Sequence, residues 1–184
     1  MAIPGDHCGD DIGCHFYFVM LDMSVQTDKI MNYLHEIPDP EIPVIDIVEL
    51  GVIRDIKTEG EKVEVTITPT YSGCPAMKQM EDDIHSTLKK YGFKEVKINT
   101  VFNPPWTTDW ITDHAKEKLR AYGIVPPEHS TVDKSWLTGK SKTLVCPRCK
   151  SINTTLVSQF GSTSCKALYK CNDCLEPFDY LKCI

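Results

Sequence analysis

Four cysteines near the end of the sequence constrain the fold more than any other feature. They form two Cys-x-x-Cys pairs, Cys146 with Cys149 and Cys171 with Cys174, and 21 residues separate the pairs. Each pair can close a tight turn that places two thiolates on one ion, and two such turns complete the tetrahedral shell of a structural zinc site. The spacing is slightly longer than in the usual ribbon pattern, but it leaves room for two hairpin strands.

A segment of about 45 residues cannot bury much apolar core, so bound metal would have to supply its folding free energy. We therefore predict a zinc ribbon over residues 143–184, with a redox-active cluster on the same thiolates as the alternative. Cys165 and Cys183 lie outside the pairs. We predict that both are small buried side chains beside the metal turns, and an additional ligand role is the alternative.

Charge is distributed unevenly along the chain. The formal net charge is −6, and residues 140–184 carry seven basic and three acidic residues, a net +4, which leaves −10 for residues 1–139. The uneven distribution predicts two physically distinct parts. Four thiolates and Zn²⁺ together carry −2 and offset part of the positive charge of the ribbon. A nucleic-acid-binding role is therefore disfavoured, both for the ribbon and for the whole chain.

The beginning of the sequence contains no recognisable targeting segment. The apolar stretch at 16–21 is too short to span a bilayer, and only acidic charges precede it. We expect a cytoplasmic protein without membrane contact, whose nine cysteines serve metal or thiol chemistry rather than disulfides. Residues 1–23 lack periodicity, and we interpret them as a disordered or non-native leader, although "DHCGDDIGCH" at 6–15 contains residue types that bind metals.

The middle of the chain predicts an α+β domain over residues 24–125, followed by a polar linker at 126–142. Its hydrophobic periodicity gives the order helix, strand, strand, helix, strand, helix. The simplest packing is a small mixed sheet with helices on one face. The predicted elements are a helix over 24–35, a strand at 44–50 followed by a break and a strand or bend at 51–57, strands at 62–68 and 95–102, a helix between Pro75 and Gly92, and a helix ending at Gly123.

Cys74 lies where a predicted strand changes into a helix. A thiol near a helix N-terminus experiences the helix dipole, which favours a lowered pKa and suits a nucleophile or a ligand for a soft metal. The alternative is a buried cysteine that only packs. Asp39, Pro40 and Glu41 lie in a loop fixed by prolines. One interpretation is that this loop approaches Cys74, where carboxylates can ligate iron or orient a partner. The other is a turn that merely ends the first helix.

Four blocks of the sequence carry a family resemblance. They read "DPEIPVIDIVELGVIRDI" (39–56), "VTITPTYSGCPAM" (65–77), "PPWTTDWIT" (104–112) and "GSTSCKALYKCNDCLEPFDYLKC" (161–183). Together they resemble the PaaD family of bacterial phenylacetate degradation, described as the D subunit of the phenylacetyl-CoA ring 1,2-epoxidase. The first two blocks also resemble a broader family of iron–sulfur assembly factors that includes SufT. The last two are typical of the PaaD branch, and the resemblance extends over about 24–184.

The resemblance implies a fold like the iron–sulfur assembly domain, with a zinc ribbon, and an accessory role without independent catalytic activity. The characteristic cysteine of the family falls on Cys74, its acidic-proline motif on Asp39, Pro40 and Glu41, and its metal ligands on the four paired cysteines of the tail. The implied cofactors are a structural zinc and a transient iron or iron–sulfur cluster. The implied partners are the epoxidase oxygenase and reductase subunits and the iron–sulfur assembly machinery.

Three other functions compete with this interpretation. Cys74 could be a covalent nucleophile, or the chain could be a true oxygenase subunit. A di-iron oxygenase needs Glu-x-x-His ligands on a helical bundle, however, and the sequence contains no such motif. A structural adaptor of the oxygenase would not need Cys74. A zinc-ribbon nucleic-acid module would bind DNA or RNA through its tail in a salt-dependent manner.

Overall fold

A computed structural model of the chain describes residues 26–127 and 142–182. The predicted leader at 1–23 lies outside the described residues, as does most of the predicted linker at 126–142. The boundaries of these two segments therefore stay predictions. No helix in the described part of the chain is long and apolar enough to cross a membrane.

The described residues form short helices and two small sheets. The first part contains α1 (helical over 26–34), β1 (Ile53–Glu59), β2 (Lys62–Ile67), α2 (Ala76–Lys90), β3 (Glu95–Thr100), a 3₁₀ turn (Thr108–Trp110), α3 (Asp113–Tyr122) and β4 (Ile124–Val125). The second part contains β5 (Thr154–Ser158), β6 (Lys166–Cys171) and β7 (Pro177–Leu181).

The first sheet has the strand order β1-β2-β3 and is mixed, as predicted. β1 and β2 form an antiparallel hairpin, whereas β2 and β3 are parallel and are connected through α2. Alternation along β2 buries one face, formed by Val63, Val65 and Ile67. The helices contribute buried residues to the same core, namely Ile30, Leu34, Met80, Ile84, Leu88, Ala115 and Leu119. The α+β architecture is confirmed.

The predicted strand at 44–50 is wrong, because this segment folds into consecutive turns. The side chain of Asp46 accepts hydrogen bonds from the backbone N–H groups of Val48 at 2.9 Å and Glu49 at 2.8 Å. Leu50 N–H then donates to the carbonyl of Asp46 at 2.9 Å. An aspartate that bonds to the backbone two and three residues ahead competes with strand pairing. The turns still bury Ile45, which explains why the sequence looks like a strand.

A glycine and a tryptophan fix the end of this turn segment. Gly51 has a φ of +76°, and a Cβ atom there would lie 2.5 Å from the carbonyl oxygen of Trp110, so only glycine fits. Trp106 is buried, and its ring N–H donates to the carbonyl of Leu50 at 3.1 Å. These contacts hold the 44–51 segment against the entry to α3.

Both predicted helix ends are confirmed. α2 begins directly after Pro75, and Gly92 follows its last turn with a φ of +95°. α3 ends at Gly123 in the left-handed conformation, with the side chain of Thr112 capping its first turn. Tyr122, the last residue of α3, is exposed, whereas Ala115 and Leu119 of the same helix are buried.

The second sheet has the order β4-β7-β6-β5 and includes one strand from the first part of the chain. β5 and β6 match the two predicted hairpin strands, whereas β7 was not predicted. β4 lies at the end of the predicted assembly domain and pairs in parallel with β7. The two parts of the chain therefore share a sheet.

Candidate functional site

The four paired cysteines converge on one point, as the ribbon prediction requires. The distance from Cys146 Sγ to Cys174 Sγ is 3.7 Å, and that from Cys149 Sγ to Cys171 Sγ is 3.5 Å. All four sulfurs lie within 4.8 Å of one another. A tetrahedron with zinc–sulfur bonds of about 2.3 Å has sulfur–sulfur edges of about 3.8 Å. The sulfur positions therefore fit a structural zinc ion.

Each cysteine pair closes a turn with the same backbone geometry. Lys150 and Leu175 directly follow the second cysteine of their pair, and each has a φ of +65°. The N–H group of Cys149 points at Cys146 Sγ at a distance of 3.5 Å. Hydrogen bonds from backbone N–H groups, first that of Cys174, lower the pKa of the Cys171 thiol to about 7. Such N–H groups stabilise thiolates, the form that binds metal.

Cys74 is the second candidate site, in the connection between β2 and α2. Gly73 has a φ of +90°, which lets the chain turn sharply before the helix. The N–H of Cys74 donates to the carbonyl of Tyr71 at 3.3 Å, and the carbonyl of Cys74 accepts from Met77 N–H at 3.3 Å. The side chain turns inward, so that Cys74 is only 9% exposed.

The expectation of a lowered pKa at Cys74 is wrong. Burial raises the pKa of this thiol above its ordinary value, and the nearby carboxylate of Glu41 adds to the rise. A hydrogen bond from the backbone N–H of Ala76 opposes the shift, as expected for a helix start, but it is the smaller effect. Cys74 is therefore held as a neutral thiol, and a metal ion would displace its proton on binding.

Asp39 and Glu41 line the same small cavity as Cys74, which has a volume of about 20 Å³. The loop that carries them folds back towards the β2–α2 connection, which is the placement that one interpretation of the sequence anticipated. Pro40 lies between them and is exposed. It restricts the loop from outside rather than lining the cavity.

Asp39 is buried and holds the loop together. One of its carboxylate oxygens accepts hydrogen bonds from the backbone N–H groups of Glu41 at 2.9 Å and Ile42 at 2.6 Å. Burial raises the pKa of Asp39, although these two hydrogen bonds lower it in part. The side chain therefore has a structural task in addition to its place beside Cys74.

The position predicted for Cys165 is wrong, although its burial is correct. It does not pack beside the metal turns but belongs to the core of the first part of the chain. Its thiol donates to Glu41 Oε2 at 3.2 Å, and it lines the same cavity as Cys74. The two Cys-x-x-Cys pairs leave Cys165 without a role, and this is the feature of the sequence that could have pointed to a function for it. Cys183 lies outside the described residues.

Tyr71 was not identified from the sequence. Its hydroxyl is buried, and no described residue offers it a partner in hydrogen-bond geometry. Burial raises the pKa of this hydroxyl to about 12, and Ser164 and Cys74 are close enough to influence it. The ring also lines the cavity. A tyrosine three residues before a candidate cysteine carries no recognisable motif, so only the fold reveals it.

Two family models match the chain, one on each part. Residues 27–99 match the iron–sulfur cluster assembly protein family, and residues 130–182 match the PaaD zinc beta ribbon domain. A solved structure of a domain of unknown function, DUF59, from Bacillus anthracis has a TM-score of 0.52 and 29% identity. It covers 54% of this chain and 96% of its own.

Curated relatives give the same assignment. A protein of Escherichia coli K12, assigned as the D subunit of 1,2-phenylacetyl-CoA epoxidase, is 47% identical over 86% of this chain and 94% of its own length. The iron–sulfur protein maturation auxiliary factor SufT of Staphylococcus aureus is 36% identical over 44% of this chain and 93% of its own length. The factor YitW of Bacillus subtilis is 34% identical over 50% of this chain and 91% of its own length.

The fold and both cysteine sites define the class, an iron–sulfur assembly domain joined to a zinc ribbon. Identity along almost the full length of the Escherichia coli relative then fixes the branch within this class. The chain belongs to the PaaD family.

Proposed function

We propose that this protein is an accessory factor for maturation of the phenylacetyl-CoA epoxidase. In this role it assists assembly of an iron–sulfur cluster or iron centre in the reductase or oxygenase subunit. Cys74 is the thiol that contacts or transfers the metal. The tail holds a structural zinc, and the protein acts with the iron–sulfur assembly machinery in the cytoplasm. Family membership supports the epoxidase system, and the SufT-like relatives support iron–sulfur maturation.

One observation carries the proposal: Cys74 shares a small cavity with the carboxylates of Asp39 and Glu41. A sulfur donor beside oxygen donors suits iron better than it suits an alkali or alkaline-earth ion. Burial keeps the thiol protonated until a metal arrives, so an empty site is protected from oxidation and alkylation. A histidine base is absent from the residues that line the cavity, which does not favour nucleophilic catalysis.

The test is complementation of a strain that lacks this protein and must grow on phenylacetate. Cys74→Ser should leave the fold intact and abolish growth, and the iron content of the purified reductase or oxygenase should fall with it. Ser72→Ala, an exposed change on the same loop, is the matched control and should grow normally. Normal growth of the Cys74→Ser strain would refute the metal-transfer role and leave a structural adaptor as the function.

A further inference from the structure

We propose that Cys165 of the ribbon is a second thiol ligand of the Cys74 cavity. A single thiophilic divalent cation would then be bound between the assembly domain and the ribbon, by both thiolates and the carboxylate of Glu41. This inference rests on the proposed function, because it takes the cation as the cargo that this protein passes on.

The carboxylate of Glu41 interacts with both thiols. Its Oε2 atom accepts the hydrogen bond from Cys165 at 3.2 Å, and its charge also acts on Cys74. Cys165 is 6% exposed, and the Thr163 hydroxyl lies 3.0 Å from its sulfur. Two thiols from separate parts of the chain thus line one cavity together with the side chain of Glu41.

The ribbon holds Cys165 firmly in this position. The ammonium group of Lys166, the next residue, donates to the carbonyl of Glu41 at 3.1 Å. The carbonyl of Cys165 accepts from the N–H of Lys182 at 2.7 Å. Lys166 is also the first residue of β6, whose last residue is the zinc ligand Cys171. One strand therefore connects the zinc site to the cavity, and a folded ribbon fixes Cys165 against Glu41.

The size of the cavity suits a single metal ion. Its volume of about 20 Å³ is close to the space that one water molecule requires. A space of this size admits one metal ion. The hydroxyl of Tyr71 is buried at this cavity without a partner in hydrogen-bond geometry among the described residues. A buried hydroxyl without a partner is costly, and a cation bound in the cavity would contact a lone pair of the Tyr71 oxygen.

The donor types indicate a cation that is bound and then released. Thiolates favour iron and zinc over magnesium or calcium. Each thiol releases its proton as its sulfur–metal bond forms. Two thiolates and the Glu41 carboxylate would give a divalent ion a net charge of −1, and Lys182 also lines the cavity. The ribbon sulfurs already converge within 4.8 Å, whereas an ion in the cavity must draw its ligands together. Such binding is weaker and easier to reverse.

The lengths of the relatives indicate that the two-thiol cavity belongs to the PaaD branch. About half of this chain aligns with more than nine-tenths of the SufT and YitW factors. Those proteins therefore have no room for a ribbon beyond the assembly domain, and a thiol equivalent to Cys165 would be specific to the PaaD branch.

The experiment is an anaerobic titration of the zinc-loaded, full-length protein with Co²⁺ as a spectroscopic probe. Cys8, Cys14 and Cys183 are first replaced by serine, so that only the cavity and ribbon thiols remain. The ribbon retains zinc, because Zn²⁺ binds such sites more tightly than Co²⁺. Cobalt–thiolate charge-transfer absorption then reports a second site. We expect one further Co²⁺ per chain with two thiolate bonds.

Replacing either cavity cysteine should remove one of these bonds. In Cys74→Ser and Cys165→Ser, the charge-transfer absorbance per bound Co²⁺ should fall to about half, and Kd should rise by about tenfold or more. Ser162→Ala, an exposed change on the same loop as Cys165, should change neither value. Zinc content and circular dichroism verify the fold, and Cys165→Ala serves if serine disturbs it.

Two outcomes would overturn the inference in different ways. If only Cys74→Ser changes the cobalt spectrum, Cys165 is a packing residue, and the proposed role of Cys74 is unaffected. If the zinc-loaded protein binds no further Co²⁺ at all, the two-thiol site does not exist. The growth assay then decides separately whether Cys74 acts through contact with a partner.

Discussion

Asp39 shows how one side chain can serve both the fold and the site. It is 3% exposed, and burial raises its pKa above the ordinary value of 3.8. The folded protein therefore binds this proton more tightly than the unfolded chain. The resulting stability is fully present below the unfolded pKa and is lost as pH rises through the folded pKa. At neutral pH burial of the Asp39 charge is unfavourable, and the two hydrogen bonds and the charge of Lys166 offset this cost only in part.

This balance predicts opposite results for two substitutions at Asp39. Asp39→Asn keeps an oxygen acceptor and removes the charge, so its free energy of unfolding at pH 7 should equal or exceed that of the natural protein. The difference should grow as pH rises above 3.8 and through the raised pKa of the folded acid. Asp39→Ala loses both hydrogen bonds and should cost about 1 kcal/mol. Urea unfolding measures both, and a marked loss of stability in Asp39→Asn would contradict the prediction.

Glu49 and Lys118 fasten α3 to the turn segment that replaces the predicted strand. The ammonium group of Lys118 donates to both carboxylate oxygens of Glu49, at 2.8 and 3.0 Å. Burial alone would raise the pKa of Glu49, but the hydrogen bonds from Lys118 and from the N–H of Asp46 outweigh it and lower the pKa below 4.5. This ion pair therefore stabilises the fold above pH 4.5, and the stabilisation is lost as pH falls through the lowered value.

Removal of the Lys118 cation should leave the buried Glu49 carboxylate with only the N–H of Asp46 at 3.2 Å and His114 at 3.9 Å as neighbours among the described residues. The side chain of Lys118 is 38% exposed, so the effect is smaller than for a fully buried pair. We expect Lys118→Met to lower the free energy of unfolding at pH 7 by about 1–2 kcal/mol. The loss should shrink below pH 4.5. Addition of Glu49→Gln should restore most of the stability, and a double variant as unstable as Lys118→Met would show that the loss arises elsewhere.

The elements differ in how far the sequence alone predicts them. β2 and α2 were predictable because their apolar residues follow strict periods of two and 3.6. The 44–50 segment was not, because the side chain of Asp46 converts an apolar run into turns. β7 was missed although it closely follows β6, because it is a strand of only 5 residues that begins with a proline, and its other partner, β4, lies in the distant first part of the chain.

The two candidate sites differ in the same way. The candidate zinc ligands are pairs of cysteines close together in the sequence, and their spacing predicts that each pair can bind one ion. The cavity joins Cys74, Glu41 and Cys165, which are separated by up to 124 residues along the chain. No periodicity or spacing predicts such contacts, and only the packing of the ribbon on the assembly domain brings them together. The raised pKa of Cys74 follows from the same packing, since burial outweighs the helix terminus.

The two parts of the chain therefore depend on each other. β4 of the first part pairs with β7, and Cys165 and Leu181 of the ribbon belong to the core around Cys74. The hydrophobic cluster of the ribbon itself is small, so we expect this arrangement to depend on bound metal. We therefore expect that a zinc ion at the four cysteines would keep the cavity closed, although the ion would lie outside it.

This dependence predicts that zinc removal makes Cys74 reactive. With zinc bound, alkylation of Cys74 by iodoacetamide at pH 8 should be slow, because the thiol is buried and its pKa is raised. A chelator should unfold β5 to β7, open the cavity and accelerate alkylation by roughly tenfold or more. Mass spectrometry of the digested protein measures the alkylation rate at Cys74 itself. The control is the same chelator saturated with zinc before it is added. An unchanged rate after verified zinc loss would mean that the assembly domain buries Cys74 by itself, and that the ribbon does not close the cavity.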